Sequence, residues 1–121
     1  MTSSILIIGI NPSNATSVRK NSTFDRLIKW VDHLEIKYFS FFNVIPYSGP
    51  YTQNMVDIST VSMYSRGYTH VIALGEFVSK ALQRADINHY TMPHPSPLNR
   101  LLNSREYEMS CLSSCKNYLE S

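Results

Sequence analysis

The sequence predicts an α/β protein, a three-layer α-β-α sandwich around a central four-stranded, mainly parallel sheet. Short β-branched runs alternate with stretches of helical periodicity along the chain. Two of these runs, Ser4-Ile-Leu-Ile-Ile-Gly9 and His70-Val-Ile-Ala-Leu-Gly75, are apolar at consecutive positions and end on glycine, as strands covered on both faces do. Finally, 121 residues of which 43% are apolar and 17% charged suffice for one domain, residues 1–121, with its own core. Strands joined through helices require right-handed crossovers, and these place helices on both faces of a parallel sheet.

Taken in order, Ser4 to Gly9 is the first strand, and Asn11-Pro12-Ser13-Asn14 turns the chain out of it. A helix is expected from Ser22 or Thr23, with Phe24, Leu27, Ile28 and Val31 at helical spacing through Leu34. Trp30 is expected to pack within it. Residues 36–42 read as a second strand, ended by Asn43 and the turn residues Pro46, Ser48, Gly49 and Pro50, with Tyr38, Phe39, Phe41 and Phe42 as strand core or, for one of them, a place near the ligand pocket. Asn54 is placed to cap a helix reaching Ser65, with Met55, Ile58, Val61 and Ser62 on one face and Gly67 as its stop. Residues 70–74 form a third strand, 76–85 a short helix with Phe77, Val78, Ala81 and Leu82 inward, and 87–92 a fourth strand. A terminal helix carrying Leu112 and Leu119 is expected from about Asn103.

The composition excludes several classes. No apolar run approaches the ~20 residues of a membrane span, and Met1-Thr-Ser-Ser lacks the basic start of a secretory signal, so a soluble, intracellular protein is expected. Cys111 and Cys115 are too few for a disulfide framework or an iron-sulfur cluster, and no histidine pair follows at zinc spacing. Buried structural thiols and no metal or other cofactor are the expectation. The formal net charge is only +2, but Arg19, Lys20, Arg26 and Lys29 face Asp25 alone, whereas Glu106, Glu108 and Glu120 face only Lys116. A basic face in the N-terminal third would suit a polyanion.

Ligands of parallel sheets bind beyond the carboxyl ends of the strands. Three segments leave strand ends there: Gly9-Ile-Asn-Pro-Ser13, Phe42-Asn-Val-Ile-Pro46 and Pro93-His-Pro-Ser-Pro-Leu-Asn-Arg100. Asn11 offers an amide donor and a carbonyl acceptor that cannot titrate, behind a rigid Pro12. His94, between two prolines, is an imidazole on a stiff loop. Each of these also serves as plain loop structure: Asn-Pro-Ser as a turn, His94 as a structural hydrogen bonder.

Together the three segments resemble the motifs of the uracil-DNA glycosylase superfamily over about residues 4 to 100, most closely those of its single-strand-selective and mismatch-specific branches. The resemblance implies that Asn11 holds the hydrolytic water and that His94, in His94-Pro-Ser-Pro-Leu98, contacts a base carbonyl oxygen. It also implies that Asn43 reads the uracil edge and that Phe24 stacks on the flipped base, with Ile10 beside it in the base pocket. Leu98 is similar to a leucine that in one branch enters the duplex, and Val71-Ile-Ala-Leu-Gly75 followed by a helix is also family-like. With the basic stretch, these motifs make Ser13, Arg19, Lys20, Ser96, Leu98 and Arg100 the expected DNA contacts. Ser13 stands where the family usually has glycine, and Asn11-Pro-Ser, Thr23, Arg26, Asn43 and Pro46 also resemble a related group of small bacterial and phage proteins of uncharacterised activity.

The expected function is therefore hydrolytic excision of uracil or a 5-substituted uracil from DNA, without a cofactor. A catalytically inactive base-, nucleotide- or protein-binding module of the same fold is the alternative, and an enzyme acting on free nucleosides is a third class. A base inside a duplex is unreachable, so excision requires extrusion, stacking and edge reading.

Overall fold

The computed structural model describes residues 4–12, 22–96 and 99–121. Four strands, β1 (Ile5–Gly9), β2 (Ser40–Asn43), β3 (His70–Leu74) and β4 (Tyr90–Met92), form one sheet in the order β2-β1-β3-β4, parallel throughout. Helices α1 (Ser22–His33), α2 (Ile58–Ser65), α3 (Glu76–Arg84) and α4 (Arg105–Glu120) cover its two faces. The fold is the three-layer α/β sandwich expected.

The continuous apolar runs of β1 and β3 follow from this layering, because successive side chains point to opposite faces. Leu6, Ile8, Val71 and Ala73 pack with Val61 of α2 and with Val78, Ala81 and Leu82 of α3. Ile7, Ile72, Leu74 and Met92 pack with Leu27, Trp30 and Val31 of α1 and with Leu112 and Cys115 of α4. The Trp30 indole N–H also donates to Glu108 Oε2 at 2.8 Å, and Arg26 Nε lies 3.9 Å from that oxygen, so α4 holds α1 by a charged bond as well as by packing. The chain leaves β1 towards β2 over one face and returns to β3 over the other, so the sheet reverses its winding between β1 and β3. In such sheets a crevice opens at that reversal, beyond the strand ends.

Several expectations are corrected. Strands predicted over 36–42 and 87–92 are shorter, since Ile36 and Ile87 belong to helix ends. Glu35 (φ 59°) and Asp86 (φ 57°) adopt the left-handed conformation, and the next N–H groups reach back five residues, Ile36 to Val31 O at 3.1 Å and Ile87 to Leu82 O at 2.9 Å. These bonds satisfy carbonyls that a helix terminus leaves open, and they place an apolar residue against the helix. The helix predicted from Asn54 begins instead at Ile58: Gln53–Met55 is one 3-10 turn, buried Val56 is extended, and Asp57 Oδ1 accepts from Thr60 N–H at 3.2 Å as the cap.

The inward face of α1 is Leu27, Trp30 and Val31, continued by Leu34 beyond its end; Phe24 (48% exposed) and Ile28 (42%) lie outside it. Tyr38, expected in strand core, precedes β2 and is 87% exposed, while Phe42 stacks on Tyr64 with centroids 4.4 Å apart. Of the two thiols, Cys115 is fully buried and Cys111 only partly so. Among the described residues no helix is long and apolar enough to cross a membrane.

Candidate functional site

A cleft of ≈ 360 Å³ opens at the carboxyl ends of the strands, within the range typical of small-molecule sites. Its walls come from every strand end: Gly9, Ile10, Asn11 and Pro12 after β1, Phe41 and Asn43 of β2, Leu74 of β3, and His94 and Pro95 after β4. The first turns of α1 add Thr23, Phe24 and Leu27.

The loops after β1 and β2 are bound to one another. Beyond the paired residues Gly9 and Asn43, Val44 N–H donates to Gly9 O at 3.0 Å and Ile45 N–H to Ile10 O at 2.9 Å. Asn11 closes this seam: Nδ2 donates to Tyr47 O at 3.0 Å and to Gly49 O at 2.9 Å. Both amide hydrogens are therefore engaged, and the orientation of the planar carboxamide is fixed with Oδ1 as its remaining group. The sequence offered Asn11 as donor and acceptor alike; the structure leaves the acceptor.

Asn43 is partly buried, and its carboxamide makes no hydrogen bond with any described residue. Its position depends on Gly9, where a Cβ would come within 2.9 Å of Asn43 Oδ1 and 2.9 Å of Phe41 Cζ. The bare glycine thus seats both side chains on the cleft wall. Phe41 shares a face with Asn43 because the two are separated by one residue in a strand. The period-two spacing carried that signal, and Phe41 is the one of the four aromatics around β2 that takes the place near the pocket rather than in the core.

His94 is held by contacts on two sides. Ser96 N–H donates to Nδ1 at 3.2 Å, which makes Nδ1 an acceptor and leaves the ring proton on Nε2. Burial lowers the pKa of the ring below the usual histidine value, and protonation at Nδ1 would also break the bond from Ser96. The imidazole is therefore a neutral donor through Nε2. Asn99 Nδ2 donates to His94 O at 3.0 Å, and Asn99 N–H to Ser96 O at 3.0 Å, a clamp that sequence reading missed. Gly75 meets the loop from below: with φ +97°, it would put a Cβ 3.2 Å from that of His94. Only glycine fits both demands.

Of the expected site residues, Ile10, Asn11, Phe24, Asn43 and His94 line this cleft. Ser96 contributes its backbone N–H to His94, and Arg100 is exposed at the start of a 3-10 turn, apart from the cleft lining. Ser13, Arg19, Lys20 and Leu98 lie outside the described residues. Within the expected basic face, Arg26 is turned towards Glu108.

Other reactive groups serve the scaffold. Burial, helped by Cys111, pushes the Cys115 thiol up to about 12, so it is neither a nucleophile nor a ready ligand at neutral pH. Among the described residues no three His, Cys, Asp or Glu side chains converge as a metal site. His89 and Ser79 share a 2.8 Å hydrogen bond, but Ser79 is buried and also accepts from Thr91 Oγ1 at 2.9 Å, which ties α3 to β4.

No curated protein and no solved structure is found to match the chain. A family model does match, over a segment that carries Asn11, Phe24 and Asn43 and stops short of His94. It spans residues 1–90, most of the 121, and the chain accordingly belongs to that family, DUF1643, described as a protein of unknown function.

Proposed function

We propose that the cleft receives a uracil or 5-substituted uracil flipped out of DNA and that the protein hydrolyses its N-glycosidic bond. The observation that carries this reading is the pairing of two polar groups on one cleft: the Asn43 carboxamide, without a partner among the described residues, and the His94 Nε2–H donor fixed by Ser96. A carboxamide can donate to a pyrimidine carbonyl while accepting from the adjacent N3–H. Phe24, half exposed at the cleft wall, offers a face on which the base can stack.

In the reaction the bond between the base nitrogen and the sugar carbon breaks, and the pyrimidine leaves as an anion. Its charge spreads onto a carbonyl oxygen, where the Nε2–H of His94 stabilises it. Water adds to the sugar carbon, its proton passes through solvent to the departing pyrimidine anion so that the products are the neutral base and a sugar hydroxyl, and Asn11 Oδ1 can hold that water by accepting from it. An amide is a poor base, so slow turnover is expected.

A second reading is favoured by one observation: among the described lining residues His94 is the only titratable side chain, so no carboxylate is there to take the proton from water. A base-binding module would use the same contacts without hydrolysis. The deciding experiment incubates the protein with uracil-containing single- and double-stranded oligonucleotides, then cleaves abasic sites with alkali. Strand scission that falls ~10²-fold or more in His94→Ala supports excision. Saturable uracil binding with no scission selects the module, and the absence of both scission and binding overturns the reading.

A further inference from the structure

The imidazole of His94 stands on a loop whose peptide groups are held by one residue five positions further on. Asn99 Nδ2 donates to His94 O at 3.0 Å, and Asn99 Oδ1 accepts from Leu101 N–H at 3.2 Å. One partner is an acceptor and the other a donor, so the carboxamide has a single orientation. The Asn99 N–H donates to Ser96 O at 3.0 Å, and Leu102 N–H donates to Asn99 O at 3.1 Å. Leu102 is buried with Leu112 and Cys115 of α4, so Asn99 links the histidine loop to the core. Between the two carbonyls that it holds lie Pro95, fully buried and fixed in φ, and the Ser96 N–H that bonds to Nδ1.

As the cap of the 3-10 turn over Arg100–Asn103, an aspartate would serve as well, because it offers the same oxygen to Leu101 N–H. The amide nitrogen serves a different partner, His94 O, to which an aspartate cannot donate. Resting on the excision reading above, we propose that Asn99 is a positioning residue for that reaction: by holding His94 O and Ser96 O it keeps the Ser96 N–H on Nδ1, and so keeps the ring proton on Nε2 as the donor to the base. Asn99 is not among the described walls of the cleft, so its effect passes through His94. Without its two bonds the Ser96 N–H is free to leave Nδ1, and a neutral imidazole then divides its proton between two nitrogens. The fraction with Nδ1–H presents a lone pair, not a donor, at Nε2.

The test compares the wild-type protein with Asn99→Asp, which keeps the acceptor for Leu101 N–H, and Asn99→Ala, which keeps neither side-chain bond. Nitrogen NMR of the histidine rings at about pH 8, where an imidazole is neutral, reads the tautomer. Single-turnover excision from a uracil-containing single strand reads the rate. Wild-type His94 should be the Nε2–H tautomer. Both variants should shift it towards a mixture and slow excision by about tenfold or more, with substrate affinity changed less than the rate. Adding Asn99→Ala to His94→Ala should slow the reaction no further, because both act through one ring. A wild-type tautomer and rate in Asn99→Asp, with a loss in Asn99→Ala alone, would make Asn99 a cap only and overturn the proposal. Losses that multiply in the double variant, or a wild-type His94 with its proton on Nδ1, would overturn it too. If the wild-type protein excises nothing while both variants shift the tautomer, the excision reading falls and the hold of Asn99 on the ring stands. Neither excision nor a tautomer shift removes both.

Discussion

Judged by reaction chemistry alone, Asn11→Asp should improve a glycosylase, because a carboxylate is a better base for water than an amide. The structure predicts a cost first. Asn11 donates to two main-chain carbonyls, Tyr47 O at 3.0 Å and Gly49 O at 2.9 Å, and a carboxylate can donate to neither. Each bond is worth about 0.5–1.5 kcal/mol net, and the anion then faces two carbonyl oxygens, so a loss of about 2–4 kcal/mol at neutral pH is expected. Asn11→Ala loses the bonds without the repulsion and should cost about 1–3 kcal/mol, so stability should rank Asn above Ala above Asp. With urea slopes of about 1–3 kcal/mol/M, the aspartate midpoint should fall by about 0.7–4 M. Protonation reverses part of this, since a neutral carboxyl can donate once. The folded state therefore raises the pKa of the new group: its contribution is retained below the unfolded value of about 3.9 and lost as pH rises through the folded one. Urea unfolding of all three proteins at pH 7 and pH 4 tests it. An aspartate variant as stable at pH 7 as the wild-type protein would mean that these two donor bonds do not hold the loop after β2, and one only as unstable as the alanine variant would mean that the repulsion adds nothing. If it is destabilised but more active per folded molecule, Asn11 both closes the seam and orients water.

The remaining predictions concern the other cleft residues. Burial lowers the His94 pKa, so its ring should stay neutral below pH 6.5 in an NMR titration; the associated stability is complete above that unfolded value and lost as pH falls through the folded one, and a midpoint at or above 6.5 would contradict the neutral donor. Gly9→Ala places a Cβ 2.9 Å from both Asn43 Oδ1 and Phe41 Cζ, and calorimetry should show at least about tenfold weaker uracil binding; unchanged affinity would release Asn43 from the seat that Gly9 gives it. Asn43→Asp removes the donor for a carbonyl and adds an acceptor for an amino group, so the uracil-to-cytosine binding ratio should fall by about tenfold or more, and a constant ratio would make Asn43 a loop residue only. Glu108→Ala leaves the Trp30 N–H without its 2.8 Å acceptor and should cost about 1.5–3 kcal/mol in urea unfolding, whereas a loss below about 0.5 kcal/mol would show that apolar packing alone joins α1 to α4.

The central strands and the layers were legible because β1 and β3 are buried on both faces, and burial on both faces writes itself as consecutive apolar residues. The misread starts of β2 and β4 share one cause. Ile36 and Ile87 each follow a polar residue in the left-handed conformation, and each closes a helix by a bond reaching back five residues. Such an apolar residue after a helix looks like the first residue of a strand, and only the backbone conformation of Glu35 and Asp86 distinguishes the two. The start of α2 was missed because Asn54 and Asp57 are both capping residues, and the choice between them was made by Val56, whose burial requires an extended turn before the helix. Phe24 shares the helical spacing of Leu27 and Val31 yet lines the cleft, where the family resemblance had put it. Helical periodicity identifies a face but not where along the helix the core ends, and at the first turn of α1 that face lines the cleft instead of the core.

The polar groups of the cleft divide by what the sequence could and could not say of them. Asn11, Asn43 and His94 were all visible as residue types at strand ends, yet the three loops use them unequally. Asn11 gives both donors to the loop after β2, and His94 gives its Nδ1 acceptor to Ser96 and its carbonyl to Asn99. What remains is one acceptor on Asn11, one donor on His94, and the whole carboxamide of Asn43. The engaged groups fix the position of the free ones without adding a charge to the cleft, since the histidine is held neutral and the amides cannot titrate. A ligand matched to this arrangement is itself neutral and planar, with an alternating edge of acceptor and donor. An anionic ring would gain no countercharge from the described walls, and a wholly apolar one would leave the Asn43 carboxamide and the His94 N–H dehydrated and without partners, at a cost of about 1–3 kcal/mol each.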